Sequence, residues 1–330
     1  MYITGVHSQD ELRVMFYNVE NLFDTKDDPV KDDDDFLPDG LMRWVPWKYW
    51  EKLKNITRVI TAVGEMQPPF LIGLCEVEND SVIYDLTKRS PLRNQDYNYI
   101  ITDSPDKRGM DVALLYQSHQ FKLLDKAEYE VKFSEKRRRP TRNILHAVGS
   151  VITGDTIDIF VCHLPSRSEG IKETETARIE SVILLKSKVD SLFLIRENTN
   201  ILIMGDFNDE PDNKSLEQVL KAAPISITDI NTNRLYNMFY NYKDNPEFGS
   251  YKYMGKWGVI DNFIVSGNML SKDNSIYIKD IEAKIYKQDF LLEEDNKYYG
   301  YKPYRTNYGP RYNGGFSDHL PIYLDLILKH

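Results

Sequence analysis

Short apolar runs of strand length recur along the chain: Leu12 to Tyr17, Phe70 to Cys75, Val112 to Tyr116, Ile157 to Cys162, Ile201 to Met204 and Val259 to Val265. Such runs, bounded by polar or turn residues, predict buried strands. Two longer stretches, Trp47 to Val63 and Thr174 to Leu194, have helical length, and the second brings Ile179, Val182, Ile183, Val189 and Leu192 near one face. Helices of that kind cover a sheet. Phe121 to Phe133 and Ile144 to Ile152 follow Val112 to Tyr116 with little room for helices between them, which predicts antiparallel neighbours within a layered, mixed α/β architecture.

No internal repeat, Gly/Ser linker or shift of composition divides the chain, so residues 11–330 are expected to form one domain behind a flexible tail at 1–10. The opening "MYITGVHSQDE" places Val6 and Ser8 like the end of a signal peptide, without a basic segment or a long apolar one. It reads either as a truncated export signal or as an ordinary tail. No apolar run reaches the roughly 18 residues that span a bilayer, which argues against membrane insertion.

The ends of the runs carry the chemistry. "RVMFYNVEN" finishes at Asn18 and Glu20, "FLIGLCEVEN" at Glu76, "IDIFVCHLPSR" at His163, and "ILIMGDFND" at Asp206 and Asn208. A single acid at a strand end ordinarily makes a turn or caps a helix. Four such endings, with "VIDNFIVS" and "GGFSDHLPI" besides, make independent turns a weak explanation, and ligands commonly collect beyond strand ends in α/β layers. Asp206 and Asn208 would face one side if the strand continues through Phe207. By the same alternation, Cys75 and Cys162 should point to the face opposite their neighbours Glu76 and His163, as buried free thiols.

Charge narrows the partners. A net charge of -9 disfavours a broad grip on nucleic acid through neutralised phosphates, but leaves metal-bridged contact with phosphate open. The basic stretch "EKRRRPTRN", with Lys136, Arg137, Arg138, Arg139 and Arg142, either docks an anionic substrate or is an exposed edge whose charge discourages strand pairing. "DTKDDPVKDDDDFLPDG" reads as a solvated loop and lacks the ligand order of an EF-hand. The Tyr-rich region Tyr236 to Tyr253 is a packed layer or, alternatively, a base-stacking platform. His7, His119, His146 and His330 have no comparable setting and are expected to be structural or on the surface.

Taken in order, "FYNVENLFD", "LIGLCEVEN", "RGMDVALLY", "FVCHLPSR", "MGDFND", "VIDNFIVS" and "FSDHLPI" resemble the motifs of the endonuclease/exonuclease/phosphatase superfamily across nearly the whole chain. That resemblance implies a four-layer α/β sandwich, with two packed, mainly antiparallel sheets flanked by helices and an active site at one end. It implies a Mg²⁺- or Mn²⁺-dependent phosphoesterase in which Glu76 is the principal metal carboxylate, with Asn18, Glu20 and Asp318 around the ion. Hard divalent cations favour such oxygen donors. It further implies Asp206 as base or orienter of the attacking water, Asn208 as its positioning partner, an Asp261–His319 pair directed at phosphate, and a catalytic His163 whose role as acid or donor stays open. Arg108 and Arg167 are candidate phosphate contacts, with surface salt bridges as the alternative. The expected substrate is a phosphate ester. A phosphodiester leads, DNA and RNA among the candidates; phosphorylated sugars, inositols, nucleotides and lipid headgroups follow. A noncatalytic binding protein on the same fold is the reading from a different class. Protein partners and compartment are not indicated.

Overall fold

The computed structural model describes residues 9–136, 138–226 and 228–329. The sequence expectations for an export signal, His7, Arg137 and His330 fall outside them. Strand β1 (Gln9–Leu22) leads into helix α1 (Pro46–Gly64), β2 (Leu71–Val77), a five-residue helix α2 (Asp80–Tyr84), β3 (Tyr97–Ile101) and β4 (Asp111–Gln117). A meander of β5 (Phe121–Tyr129), β6 (Ile144–Val151) and β7 (Thr156–His163) follows, then α3 (Ile171–Ile195) and β8 (Ile201–Asp206). The rest comprises β9 (Leu235–Asn237), the ribbon β10 (Tyr251–Tyr253) and β11 (Lys256–Gly258), β12 (Asp261–Ser266) and β13 (Ile276–Ile285). Two small ribbons, β14 (Leu292–Glu294) with β15 (Tyr301–Pro303) and β16 (Asn307–Tyr308) with β17 (Arg311–Tyr312), precede the closing β18 (Ile322–Lys329).

Two six-stranded sheets result, in the orders β13-β18-β1-β2-β4-β3 and β5-β6-β7-β8-β12-β9. Each is antiparallel except for one central parallel pair, β1 with β2 in the first sheet and β7 with β8 in the second. A parallel pair cannot be closed by a hairpin and needs a crossover. The two long helices provide it, α1 between β1 and β2, α3 between β7 and β8. Alternation along β1 shows the layering: Leu12, Val14 and Phe16 pack in the core between the sheets with Val161, Met204 and Phe263. Met15, Tyr17 and Val19 pack outward against Leu53, Ile56 and Ile60 of α1. On the far side, Phe160, Cys162, Ile201 and Ile203 meet Val182, Leu185 and Val189 of α3. This is the expected four-layer sandwich.

Helix α1 extends one residue beyond each expected end, and α3 begins three residues earlier and ends one later than expected. Pro46 opens α1, where its missing N–H costs nothing. Strand β1 begins at Gln9, paired with Lys329, so the last two residues assigned to the tail belong to the sheet. At the other end it runs on to Leu22, but its ladder with β2 breaks between Asn18 and Leu22, where Glu20 and Asn21 adopt φ of 52° and 54°. The acidic stretch is a loop with one 3-10 turn at Asp34–Phe36, and Asp33 within it is buried rather than solvated. Both cysteines are free and buried, Cys75 of the first sheet in the core between the sheets and Cys162 of the second sheet on its outer face. No helix among the described residues is long and apolar enough to cross a membrane.

Candidate functional site

Three neighbouring strands of the second sheet end in one row. In the ladder, Asp206 of β8 is paired on one side with His163 of β7 and on the other with Asp261 of β12. The close approach of β7 and β8 depends on Gly205, because a Cβ there would meet the Cys162 carbonyl oxygen at 2.4 Å. His319 comes from the loop before β18, anchored by a bridge to Tyr251, and its Nδ1 lies 2.7 Å from Asp261 Oδ2. Ser250 Oγ donates to the same oxygen at 2.5 Å, while Asp261 Oδ1 is buried without a partner among the described residues.

The first sheet faces this row with Asn18 and Glu76. Asn18 Nδ2 donates both to Glu76 Oε1 (3.1 Å) and to Asp206 Oδ2 (3.0 Å), so one amide joins carboxylates from the two sheets. Its Oδ1 accepts the Glu20 N–H at 3.0 Å, which occupies one of the two lone pairs of the oxygen expected to serve a metal. Glu76 adopts φ of 61° at a bulge where the β2–β4 register shifts. Strict alternation therefore fails here: Cys75 packs between the sheets, and the bulge turns Glu76 toward the same end, 3.9 Å from His163 Nε2. For Cys162 and His163 the alternation holds, with Val161 in the inner core and Cys162 in the outer one.

Burial sets the protonation states. Asp206 is pushed up to about 7 by burial, with Asp261 and Glu76 adding to the shift and His319 opposing it. For His319, burial lowers the pKa, but the charge and hydrogen bond of Asp261, with Asp206 and Asp318 beyond, carry it well above the ordinary imidazole value. His163 goes the other way. Burial, reinforced by the positive charges of Arg142, Arg108 and His319, holds it well below that value, and its Nδ1 is buried without a partner among the described residues. The imidazole nitrogens of His163 and His319 lie 3.6 Å and 3.8 Å from Asp206 Oδ2, near enough for charge to act and too far for strong hydrogen bonds.

Other expected residues are held differently. Strand β8 stops at Asp206, and Asn208 takes φ of 50°, its N–H bonded to Asp206 Oδ1 at 2.9 Å and its Nδ2 to the Leu164 carbonyl at 3.1 Å. It braces Asp206 through a local turn and not through a continued strand. Glu20 directs its carboxylate at Arg305 Nε (3.0 Å) and the Thr306 N–H (2.7 Å), and Arg305 Nη2 also reaches Asp318 at 3.2 Å. Glu20 and Asp318 are thus drawn into one arginine clasp. Arg167 binds the loop after β8, reaching the Asn208 carbonyl, Asp209 at 3.1 Å and Asn213 at 2.6 Å. Arg108 pairs with Asp106 at 3.2 Å and stays half-exposed. Asp209 is buried and receives Arg178 at 2.7 Å and Ser215 at 2.6 Å. His119 is exposed, and His146 is structural, stacked on Phe160 and 2.9 Å from Asp158.

Sequence reasoning passed over Arg305, Lys52 and Ser250. Lys52 is fully buried in α1, donates to Thr306 Oγ1 and to the Phe316 carbonyl at 2.7 Å, and so fixes the loop that delivers His319. Nothing near Lys52 or Arg305 in sequence signals the contacts of Lys52 with Thr306 and Phe316 or of Arg305 with Glu20, which span more than 250 residues.

A family model described as the endonuclease/exonuclease/phosphatase family matches residues 13–328. The chain belongs to that family. Its members are hydrolytic phosphoesterases, generally dependent on a divalent metal, and this chain is an enzyme of that class. Among solved structures, a family protein from Bacteroides thetaiotaomicron is similar at 17% identity and a TM-score of 0.61, covering 98% of this chain and 96% of its own. The mannosyl-6-phosphatase Bt3783 of the same organism is 18% identical with a TM-score of 0.60, covering 96% and 99%. D. rerio TDP2, solved with a single-strand DNA product, is 14% identical with a TM-score of 0.56, covering 96% and 98%. At these identities the likeness establishes the fold. No curated protein matches the chain in sequence.

The donor set suits a hard divalent cation. Glu76 is partly exposed at the mouth of the site, and Asp206 and Asp261 crowd behind it with one unpartnered oxygen, a concentration of negative charge that a cation relieves. Among the described residues, Asp206, Asp261 and His319 form an acid–histidine group whose ligand atoms lie within 4.8 Å of one another. There the 2.7 Å bond between His319 and Asp261 already joins two of the three.

Proposed function

We propose that this enzyme hydrolyses a phosphodiester by in-line attack of water, with Mg²⁺ or Mn²⁺ held by Glu76. The observation that carries the reading is the row His163–Asp206–Asp261, with His319 bonded to Asp261 and Glu76 opposite. Asp206, with its pKa pushed up to about 7, has the basicity to take the proton of an attacking water near neutrality. Asn18 and the N–H of Asn208 hold its two oxygens and so aim the carboxylate. His319, kept protonated by Asp261, donates from Nε2 to a nonbridging phosphate oxygen, and the fixed pair supplies charge stabilisation without reorganisation. His163 stays neutral, which makes it a hydrogen-bond donor to phosphate rather than an imidazolium acid. A bound divalent cation supplies Lewis-acid stabilisation of the charge that develops on phosphate. DNA and RNA are candidate substrates. A phosphomonoester, such as a phosphorylated sugar, is the neighbouring class.

The test is a panel of plasmid DNA, RNA, a simple aryl phosphodiester, phosphomonoesters and sphingomyelin, assayed with Mg²⁺ or Mn²⁺ and with EDTA. Turnover of a diester that EDTA abolishes is expected. EDTA-insensitive hydrolysis, or turnover of monoesters alone, would overturn the metal or the diester part respectively.

A further inference from the structure

Just after His163 in the chain, Pro165 and Ser166 enter the lining of a cleft of about 540 Å³ that is otherwise formed by the Asp106–Arg108 turn, residues from the stretches 133–136 and 138–142, and the start of α3. Its lining carries five cationic side chains against four carboxylates, in a chain whose net charge is -9. The deep wall is Arg142, buried and bonded through Nη2 to the Leu164 carbonyl next to His163. Arg142 and Arg108 share the single carboxylate of Asp106, at 3.3 Å and 3.2 Å, so one positive charge is left over at that wall. Arg142 Nε and the hydroxyl of the neighbouring Thr141 are buried without a partner among the described residues. Nearer the rim, Lys107, Arg138 and Arg139 have no salt-bridge partner among the described residues, and Arg138 lies over the Phe133 ring at 5.3 Å.

An exposed basic edge that merely discouraged strand pairing would not need a buried arginine, a shared carboxylate and orphaned donors behind a concave wall. Arginine forks suit phosphate oxygens geometrically as well as electrostatically. We propose that this cleft is a subsite for a second phosphate group of the substrate, seated beyond His163 from the phosphorus that is hydrolysed. The inference rests on the phosphoesterase reading and adds to it the substrate class: a phosphate ester that carries another phosphate nearby. The second group can belong to a nucleotide or to a polyol, since the cleft recognises the phosphate itself.

Two matched pairs test it. One is a thymidine dinucleotide with and without a 5′-phosphate; the other is an inositol bisphosphate against a monophosphate. For each, kcat/KM is measured by product release and affinity by calorimetry, on the wild type and on Arg138→Ala/Arg139→Ala. The wild type is expected to favour the doubly phosphorylated member of at least one pair by about tenfold or more, through KM and affinity rather than kcat, as charge-assisted contacts to phosphate imply. The double variant should lose that preference. The pair that shows it identifies the source of the phosphate. Equal affinity for both members of both pairs in the wild type, or a preference retained in the double variant, would overturn the subsite. A preference in affinity with no turnover of any substrate would support the subsite and sink the phosphoesterase mechanism instead, so the two failures are distinguishable.

Discussion

The two sheets end at the same site in opposite ways. The first sheet arrives distorted: Glu20, Asn21 and Glu76 all have positive φ, the β1–β2 and β2–β4 ladders slip, and Glu76 is left partly exposed with its oxygens lightly held by Asn18 and the Asn21 N–H. The second sheet arrives regular: His163, Asp206 and Asp261 sit in one unbroken row, all buried, and two of the groups gathered there have pKa values moved strongly in opposite directions. An accessible carboxylate on a bulge suits a ligand that must be acquired from solvent. Buried groups in fixed register suit proton placement, because low dielectric magnifies every neighbouring charge. In the proposed mechanism, this difference corresponds to a first sheet that acquires the metal and a second that handles the proton.

That division can be broken at its strongest point first. Asp206→Asn should lower kcat by about 10²–10⁴-fold with little change in KM, as loss of a general base does. A normal kcat would remove the second sheet's claim to the proton. Asp261→Asn should have a smaller but more specific effect. Wild-type activity is expected to fall as pH drops through about 7, where Asp206 becomes protonated, and to fall again only well above neutrality, where His319 loses its proton. Removing the Asp261 charge lets the His319 pKa fall, so the upper limb should move down toward the unperturbed imidazole range of about 6.5. An upper limb that stays in place in the kcat/KM profile would show that His319 is not the group that titrates. The smallest effect is expected at Asn208. Asn208→Gly keeps the left-handed turn, at φ of 50°, while deleting the amide that holds Leu164. Stability by thermal melting should change by only about 1 kcal/mol, with kcat reduced because the brace behind Asp206 is looser. A large loss of stability would make Asn208 a folding residue.

How much of this was legible in the sequence follows the same divide. Where strands are regular, the ends of apolar runs located His163 and Asp206 and alternation put Cys162 on the outer face, because burial on both sheet faces leaves a continuous apolar run that stops where the chemistry begins; Asp261, inside its run, came only from the family resemblance. Where the backbone departs from regularity the same rule failed. Alternation put Cys75 and Glu76 on opposite faces and continued β8 through Asn208, since a residue in the left-handed region leaves no mark on hydrophobic periodicity. Both helices and the four layers were readable from pattern and motif together. The clasp of Glu20, Arg305 and Asp318 was not, because its members are paired only by the folded chain, and the acid expected to face a metal faces an arginine. The Arg142 side chain was visible only as one charge in a basic run; its burial beside His163 separates it from the rim arginines.

The most direct test of the division of labour is a titration of activity against Mg²⁺ for the wild type, Glu76→Gln and Asp206→Asn, on whichever diester the wild type hydrolyses. The account predicts that Glu76→Gln needs at least about tenfold more Mg²⁺ for half-maximal rate and is largely rescued at saturation, since weakening a metal's ligand environment typically costs that much or more. It predicts that Asp206→Asn keeps the wild-type Mg²⁺ dependence at a rate that no concentration restores. Rescue of Asp206→Asn by Mg²⁺, together with an unshifted titration for Glu76→Gln, would contradict it.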